Sequence, residues 1–231
     1  LYAGGDDFTI KTYAYDRDDI AGPFNSFMDS APITSLSCHP TGSHLLYSTK
    51  KNQLRFYDFE KNQILTSKIM DTYATPNSVN DVHFHPFGTS FAYLSDKTQI
   101  VVHDGATTKE AFRVTATDGE AIINNLEYSK SGNTLMTSST DGAVSLWDLR
   151  KFCTVLKRIP VGFSNIPSFA KSLWKEDIVV CNNDNALKGF DVHNGGCVFT
   201  IDHPSNIPTF VTSPVRDAIV SIGADLQLRF F

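Results

Sequence analysis

Apolar residues in this chain alternate with polar ones in short runs, and turn-forming residues bound most of these runs. The run Leu135-Met136-Thr137-Ser138-Ser139, for example, lies between Ser131-Gly132-Asn133 and Asp141-Gly142. Such short alternating runs are typical of half-buried β-strands, whereas an amphipathic helix needs apolar residues three and four positions apart. The pattern predicts a chain of short strands with almost no helix.

Six of the runs end on a residue that carries a ring. The ring-bearing positions are 13, 57, 103, 147, 190 and 231, so successive runs are 44, 46, 44, 43 and 41 residues apart. Spacing this regular indicates an internal repeat. The runs are Ile10 to Tyr13, Leu54 to Tyr57, Ile100 to His103, Val144 to Trp147, Leu187 to Phe190 and Leu228 to Phe231.

A second column of apolar residues has the same period. Its members are Ile33, Val79, Ile123, Ile166 and Ile207, followed three positions later by Leu36, Val82, Leu126, Phe169 and Phe210. Turn-forming sequences come next in the first three repeats, and they predict hairpin connections. These sequences are His39-Pro40-Thr41-Gly42, His85-Pro86-Phe87-Gly88 and Ser129-Lys130-Ser131-Gly132.

A period of about 40 to 45 residues with four short strands per repeat is the signature of propeller blades. The sequence therefore predicts an all-β fold, with residues 1–231 forming a single β-propeller domain of about six blades. We expect the first blade to lack its first strand and the last blade to lack its fourth. Because the chain starts at Leu1 without Met, we interpret it as a piece of a longer protein whose preceding residues close the ring.

A recurring position marks the turn between the second and third strands of each predicted blade. Six residues before the ring-bearing position, Asp7, Asp141, Asp184 and Asp225 occupy four repeats, while Lys51 and Lys97 occupy two others. These aspartates could form an acid/base set or a cation site. The stronger interpretation is structural, since a short carboxylate at a tight turn accepts main-chain hydrogen bonds.

The repeats resemble WD repeats along essentially the whole chain, and Leu146-Trp147-Asp148 closes a third strand as in that family. The Gly-His pair that precedes the first strand in the family is missing. In the family, this histidine joins the turn Asp, a strand Ser or Thr and the Trp in a buried hydrogen-bond relay. The resemblance therefore implies blades that are weaker or built differently, and a seven-bladed ring in the complete protein.

Within the family, the order of segments is similar to that of WD-repeat proteins that act in forming messenger RNA 3′ ends. The resemblance implies a nuclear, non-catalytic scaffold that belongs to a pre-mRNA cleavage and polyadenylation complex. A substrate receptor or trafficking adaptor in another pathway is the alternative, and a propeller enzyme or metal protein is a third. The segments that carry the resemblance are Gly4 to Lys11, Ile33 to Gly42, Leu54 to Asp58, Ser138 to Gly142, Leu146 to Asp148 and Leu228 to Phe231.

Composition adds few constraints. The formal charge is −5 and 41% of the residues are hydrophobic, as in ordinary globular proteins. The four cysteines form no Cys-x-x-Cys pair, so neither a zinc knuckle nor a disulfide framework is indicated, and we expect a reducing compartment. No apolar stretch approaches the roughly 18 residues of a membrane span. We expect no membrane partner.

The turns between second and third strands and the loops that enter first strands share one face of a propeller. Acidic residues outnumber Lys and Arg there, which disfavours direct RNA binding because phosphate contacts need clustered cations. We expect other protein subunits, a peptide or a basic protein surface as partners, with RNA contact at most weak. The predicted partner-binding residues on this face are Asp6, Lys50, Asp96, Thr140, Asn183, Asn80 and Asn124.

Catalytic and cofactor chemistry have little support in the sequence. The pair in His83-Phe84-His85 could ligate a metal, but the sequence places no third ligand beside it. There is no Gly-x-Ser-x-Gly motif and no phosphate-binding loop. The sequence predicts no catalytic residue, no metal, no cofactor and no enzymatic activity.

Overall fold

The computed structural model describes residues 2–13, 22–23, 25–65, 79–116, 121–151, 154–161, 170–174, 177–183, 185–205, 207, 209–212 and 218–231. Within these residues, every regular element is a β-strand except for a single 3-10 turn at Leu149–Lys151. The prediction of an all-β fold is confirmed. The strands form six sheets, which fall into two compact units, Leu1–Arg113 and Val114–Phe231.

The first unit contains one three-stranded and two four-stranded sheets, and strands neighbouring in the chain also neighbour in each sheet. Its first sheet is β1 (Tyr2–Gly4), β2 (Thr9–Thr12) and β3 (Asn25–Met28). Its second is β4 (Ile33–Cys38), β5 (His44–Thr49), β6 (Leu54–Asp58) and β7 (Gln63–Leu65). Its third is β8 (Val79–Phe84), β9 (Ser90–Ser95), β10 (Gln99–Asp104) and β11 (Glu110–Thr115).

The second unit has two four-stranded sheets and one three-stranded sheet, again in chain order. The first is β12 (Ile123–Tyr128), β13 (Thr134–Ser139), β14 (Ala143–Asp148) and β15 (Thr154–Pro160). The next is β16 (Ala170–Trp174), β17 (Ile178–Asn183), β18 (Ala186–Asp191) and β19 (Cys197–Asp202). The last is β20 (Thr209–Thr212), β21 (Ile219–Ile222) and β22 (Leu228–Phe230). A single domain over residues 1–231 and a seven-bladed ring in the complete protein stay predictions.

Burial differs sharply between inner and outer strands. In β5, β9 and β13 the first residue is half-buried and the next five are buried. Continuous burial along both faces is expected for strands that are covered on both sides, and the buried residues include serine and threonine as well as apolar residues. The outermost strands β15 and β19 are mostly exposed.

Neighbouring sheets within a unit pack through the apolar residues that the repeat predicts. Leu46 of the second sheet contacts a cluster that includes Val79, Val82 and Phe91 of the third sheet. In the second unit, Ile207 and Phe210 pack with Val180 and Leu187. Ile33, Val79, Ile123 and Ile207 are all buried, which confirms four members of the second apolar column as core residues. Ile166 and Phe169 lie outside the described residues.

The three predicted hairpin turns between first and second strands form as expected. Gly42, Gly88 and Gly132 have φ of 74°, 72° and 74°, which is the left-handed region that favours glycine. Each donates its N–H to the carbonyl three residues earlier, at 2.8, 2.8 and 2.9 Å. The corresponding segments of the two later repeats lie partly or wholly outside the described residues.

Candidate protein-interaction rim

Five short turns connect β1 to β2, β5 to β6, β9 to β10, β13 to β14 and β21 to β22. We call these the rim turns; they comprise residues 5–9, 49–53, 95–99, 139–143 and 223–227. In four of them the fourth residue has a positive φ, although only one is glycine: Phe8 (64°), Asn52 (59°), Gly142 (74°) and Leu226 (61°). The third rim turn differs, with positive φ at Asp96 (53°) and Lys97 (58°).

The aspartates predicted as structural bind the main chain of their own turns. Asp7, Asp141 and Asp225 each accept the N–H of the residue two positions later, at 3.1, 3.2 and 3.2 Å. The ammonium of Lys11, the Thr9 hydroxyl and the Thr9 N–H lower the pKa of Asp7 to about 2. Asp184 lies outside the described residues.

Replacing Asp141 with alanine should lower the free energy of unfolding by about 1 kcal/mol, the usual net contribution of such a hydrogen bond. The carboxylate of Asp141 also receives the Ser139 hydroxyl at 2.5 Å and pairs with the Arg158 guanidinium. Urea denaturation measures the change. Asp141→Asn, which keeps one acceptor oxygen, should lose less stability, and equal losses in the two variants would contradict this role.

Where lysine replaces the turn aspartate, a buried hydroxyl loses its acceptor. Ser139 Oγ donates to Asp141, but Thr49 Oγ1 and Ser95 Oγ at the equivalent positions have no hydrogen-bond partner among the described residues. The turns that contain them carry Lys51 and Lys97. An unpaired buried hydroxyl reduces stability.

Lys51→Asp should therefore raise the free energy of unfolding by roughly 1 kcal/mol, because the new carboxylate can accept from Thr49 Oγ1. The second rim turn suits this test, since its left-handed residue, Asn52, occupies the place of Gly142. The control is Lys51→Asp combined with Thr49→Val, in which the gain should disappear. A gain of the same size without the threonine hydroxyl would exclude the proposed pairing.

The predicted partner-binding residues have varied surroundings. Asp6 and Lys50 pair with each other, with Lys50 Nζ 2.7 Å from Asp6 Oδ1, and both are well exposed. Thr140 also has a structural contact, because its hydroxyl accepts the Ile122 N–H at 3.0 Å and its N–H donates to the Ile122 carbonyl at 2.8 Å. Asp96 is half-buried in its left-handed turn.

The remaining predicted residues lie on strands. Asn80 is half-buried on β8, and its carbonyl accepts the Ser48 hydroxyl at 2.9 Å. Asn124 is half-buried on β12, and its amide nitrogen has no hydrogen-bond partner within the described part of the chain. Asn183 ends β17, and its side chain lies outside the described residues.

Five acidic side chains in or beside the rim turns form ion pairs. Asp6, Asp7, Asp29, Asp141 and Asp225 are paired with Lys50, Lys11, Arg55, Arg158 and Arg229, respectively. Four of these five cations come from strands rather than from turns. The strands therefore supply positive charge beside the rim turns.

A buried polar relay exists in three sheets, although the Gly-His pair is missing. The Trp147 indole N–H donates to Thr137 Oγ1 at 2.9 Å, and both residues are buried. In the second sheet, Asp29 Oδ2 accepts the Tyr47 hydroxyl at 2.6 Å and lies 3.2 Å from Arg55. Burial, and then the hydrogen bond to Asp29, raise the pKa of Tyr47.

In the last sheet, buried His203 takes the place that Asp29 occupies in the second sheet. His203 Nδ1 lies 2.9 Å from the Ser205 carbonyl oxygen, and His203 Nε2 lies 3.1 Å from a guanidinium nitrogen of Arg229. Asp29 and His203 both lie four residues before a member of the second apolar column. That spacing is the sequence signal that could have identified them.

A second set of aspartates caps the opposite ends of the third strands. Each accepts main-chain N–H groups from the turn that follows it, and these and neighbouring side-chain hydrogen bonds lower its pKa. The four are Asp58, Asp104, Asp148 and Asp191. They explain why Asp follows the ring-bearing residue in four repeats.

The two histidines considered as metal ligands, His83 and His85, have an ion-pair partner and a hydrogen-bond partner instead. His83 Nε2 lies 3.3 Å from Asp81 Oδ1, and His85 Nδ1 accepts the Phe87 N–H at 3.1 Å. The described residues contain no group of three or more His, Cys, Asp or Glu that could hold a metal ion.

The Ser35 hydroxyl donates to the Asp81 carboxylate, at 3.0 Å. The Asp81 carboxylate thus contacts both the Ser35 hydroxyl and the His83 imidazole.

Three of the four cysteines lie within the described residues. Cys38, Cys181 and Cys197 are free, and Cys153 lies outside the described residues. The described part of the chain contains no helix that is long and apolar enough to span a membrane. A reducing compartment stays a prediction.

The repeated antiparallel sheets are those of a β-propeller fold. Residues 112–148 match the family model "WD domain, G-beta repeat". The whole chain superimposes on 78% of the crystal structure of the Cps50 (Swd1) β-propeller domain of Myceliophteria thermophila, with a TM-score of 0.79 and 12% sequence identity. That similarity shows the fold alone.

Two curated proteins are similar in sequence. Cleavage stimulation factor subunit 50 of Arabidopsis thaliana is 29% identical over 157 residues, which cover 63% of this chain and 36% of that protein. Pre-mRNA-processing factor 19 of Dictyostelium discoideum is 26% identical over 151 residues, which cover 65% of this chain and 27% of that protein. The chain thus spans only about a third of the length of these relatives. One segment of the chain thus matches a WD-repeat model, and the chain is similar to a cleavage stimulation factor subunit and to a pre-mRNA-processing factor.

Proposed function

We propose that this protein is a non-catalytic scaffold in a nuclear pre-mRNA cleavage and polyadenylation complex, and that its rim turns dock other protein subunits. The observation that carries the proposal is the 29% identity over 157 residues with cleavage stimulation factor subunit 50. Loops held by a rigid sheet scaffold are the usual position of such binding residues. The similarity to pre-mRNA-processing factor 19 supports a related assembly in splicing as the second candidate.

The rim turns have two properties that suit a protein partner. They expose apolar side chains next to paired aspartates: Phe8 is 42% exposed and Leu226 is 90% exposed. They also carry ion pairs such as Asp6 with Lys50, which are too exposed to matter much for folding. Exposed apolar residues among charges are typical of a protein interface.

Affinity purification of the complete protein, followed by identification of the recovered subunits, tests the assembly. Recovery of subunits that cleave and polyadenylate pre-mRNA supports the proposal. Recovery of splicing subunits alone favours the second candidate, and ligase or membrane-coat components would place the protein in another pathway.

Variants in the rim turns test whether these turns form the docking surface. Asp6→Asn combined with Asp96→Asn removes two carboxylates, and asparagine tolerates the left-handed conformation of residue 96. Glu60→Gln is the matched control, because exposed Glu60 follows the third strand at the opposite end of the second sheet. The double variant should bind the recovered partner more weakly at low salt, with a smaller loss at high salt. If its affinity equals that of the control at both salt concentrations, the rim turns are not the docking surface.

A further inference from the structure

A pocket of about 300 Å³ opens in the second unit, between the sheets β12–β15 and β16–β19. Its wall includes Ser129 and Ser131 from the turn after β12, and Val192 and His193 from the turn after β18. Because antiparallel strands alternate in direction, these turns lie at the end of their sheets opposite the rim turns. The pocket is therefore separate from the proposed docking surface.

A β-bulge shapes the outer wall of this pocket. Trp147 pairs with Val155 and Leu146 pairs with Lys157, so Leu156 is an extra residue on β15. Bulges change the direction of side chains and are frequent beside functional sites. Leu156 and Lys157 both line the pocket although they are consecutive residues on a strand. The bulge leaves Leu156 52% exposed, and Val155 beside it is 53% exposed.

The polar side chains that line the pocket comprise one cation, Lys157, together with the His193 imidazole and three hydroxyl groups. Lys157 Nζ donates to the main-chain carbonyl of His193. An ammonium group has three N–H donors, so one bond to a carbonyl leaves capacity for a ligand. Ser129, Ser131 and Thr134 line the same pocket, and no carboxylate is among its lining residues. The Ser129 hydroxyl is hydrogen-bonded to the Ser131 hydroxyl at 3.1 Å.

Two carboxylates near the pocket hold its wall, and one of them, Asp191, also interacts electrostatically with Lys157. Asp191 Oδ1 accepts the His193 N–H at 2.6 Å, and Asp177 Oδ1 lies 3.3 Å from His193 Nε2. These contacts fix the turn that presents His193 and its carbonyl to Lys157. The Lys157 ammonium is thus held at a fixed position on the pocket wall. The net charge of the protein is −5.

We propose that this pocket binds an acidic linear peptide, placing an apolar side chain against Leu146, Leu156 and Val192 and a carboxylate at Lys157. Apolar walls with a few convergent polar groups are typical of ligand sites, and the donors here complement an anion. The exposed Val155 and Leu156 extend the apolar surface beyond the pocket, which suits an extended peptide better than a small metabolite. A site on this face would let the scaffold hold a second partner while the rim turns are occupied.

The test uses the full chain and two blocked tetrapeptides, Leu-Glu-Glu-Phe and Leu-Gln-Gln-Phe, titrated while amide NMR shifts are followed. We expect the Glu peptide to shift the signals of residues 129–134 and 192–193, with at least five-fold weaker binding of the Gln peptide. Lys157→Gln should reduce the affinity for the Glu peptide at least five-fold and leave that for the Gln peptide nearly unchanged. Lys109→Gln, an exposed lysine after β10, is the matched control and should have no effect.

Three results would overturn the proposal: equal binding of the two peptides, shifts that map outside the pocket, or unchanged affinity in Lys157→Gln. An unaltered amide spectrum away from position 157 verifies that this variant is folded. None of these outcomes bears on docking at the rim turns, so the two proposals fail separately.

Discussion

Replacing Asp29 with alanine should lower the free energy of unfolding by about 3 kcal/mol, the lower end of the range for removing one partner of a buried ion pair. The Asp29 side chain is fully buried, and it accepts the Tyr47 hydroxyl at 2.6 Å and the Ser30 main-chain N–H. Arg55, its cationic partner, is 22% exposed, so water compensates part of the loss. Urea denaturation followed by far-ultraviolet circular dichroism measures the change.

Two variants separate the stability contributed by the hydrogen bond between Tyr47 and Asp29 from the effect of truncating a side chain. Tyr47→Phe removes only the hydroxyl and should cost about 1 kcal/mol. Combined with Asp29→Ala it should add little, because the hydroxyl has already lost its acceptor. Full additivity of the two losses would mean that the bond between Tyr47 and Asp29 does not stabilise the sheet.

Trp147→Ala should cost about 4 kcal/mol, as large-to-small replacements of buried aromatic residues do. Trp147 is only 4% exposed, and its indole N–H donates to Thr137 Oγ1 at 2.9 Å. The loss should appear as faster amide hydrogen exchange in β13 and β14 as well as a lower denaturation midpoint. Trp147→Phe keeps most of the buried area and should cost less than half as much. If the alanine variant stays within 1 kcal/mol of the parent, Trp147 is not a core residue of its sheet.

The repeat predicted most of the architecture because each sheet contains strands of similar length with apolar residues at matching positions. Trp147 and Val79 show this well, since both were placed by period alone and both are buried. The glycines at 42, 88 and 132 were equally predictable, because a tight turn requires a residue that tolerates positive φ.

The charges at the rim turns were harder to predict, because they depend on which strands approach each other. Asp141 is paired with Arg158, which is seventeen residues away on β15, and Asp29 is paired with Arg55 on β6. Counting acids in the turns overlooked these strand cations, because strand pairing and not the repeat brings them to the turns. A similar limit applies to the pocket beside Lys157, whose shape depends on a bulge that no composition pattern indicates.

Depletion of the protein from cells of its own organism, followed by measurement of pre-mRNA 3′-end cleavage and of splicing in the same extract, tests the proposed function most directly. We predict that cleavage at polyadenylation sites falls while splicing of a reporter continues, and that adding back the complete protein restores cleavage. Add-back of the double variant Asp6→Asn and Asp96→Asn should restore it less well than Glu60→Gln. Unchanged 3′-end cleavage after depletion, with or without a splicing defect, would contradict a role in the cleavage and polyadenylation complex.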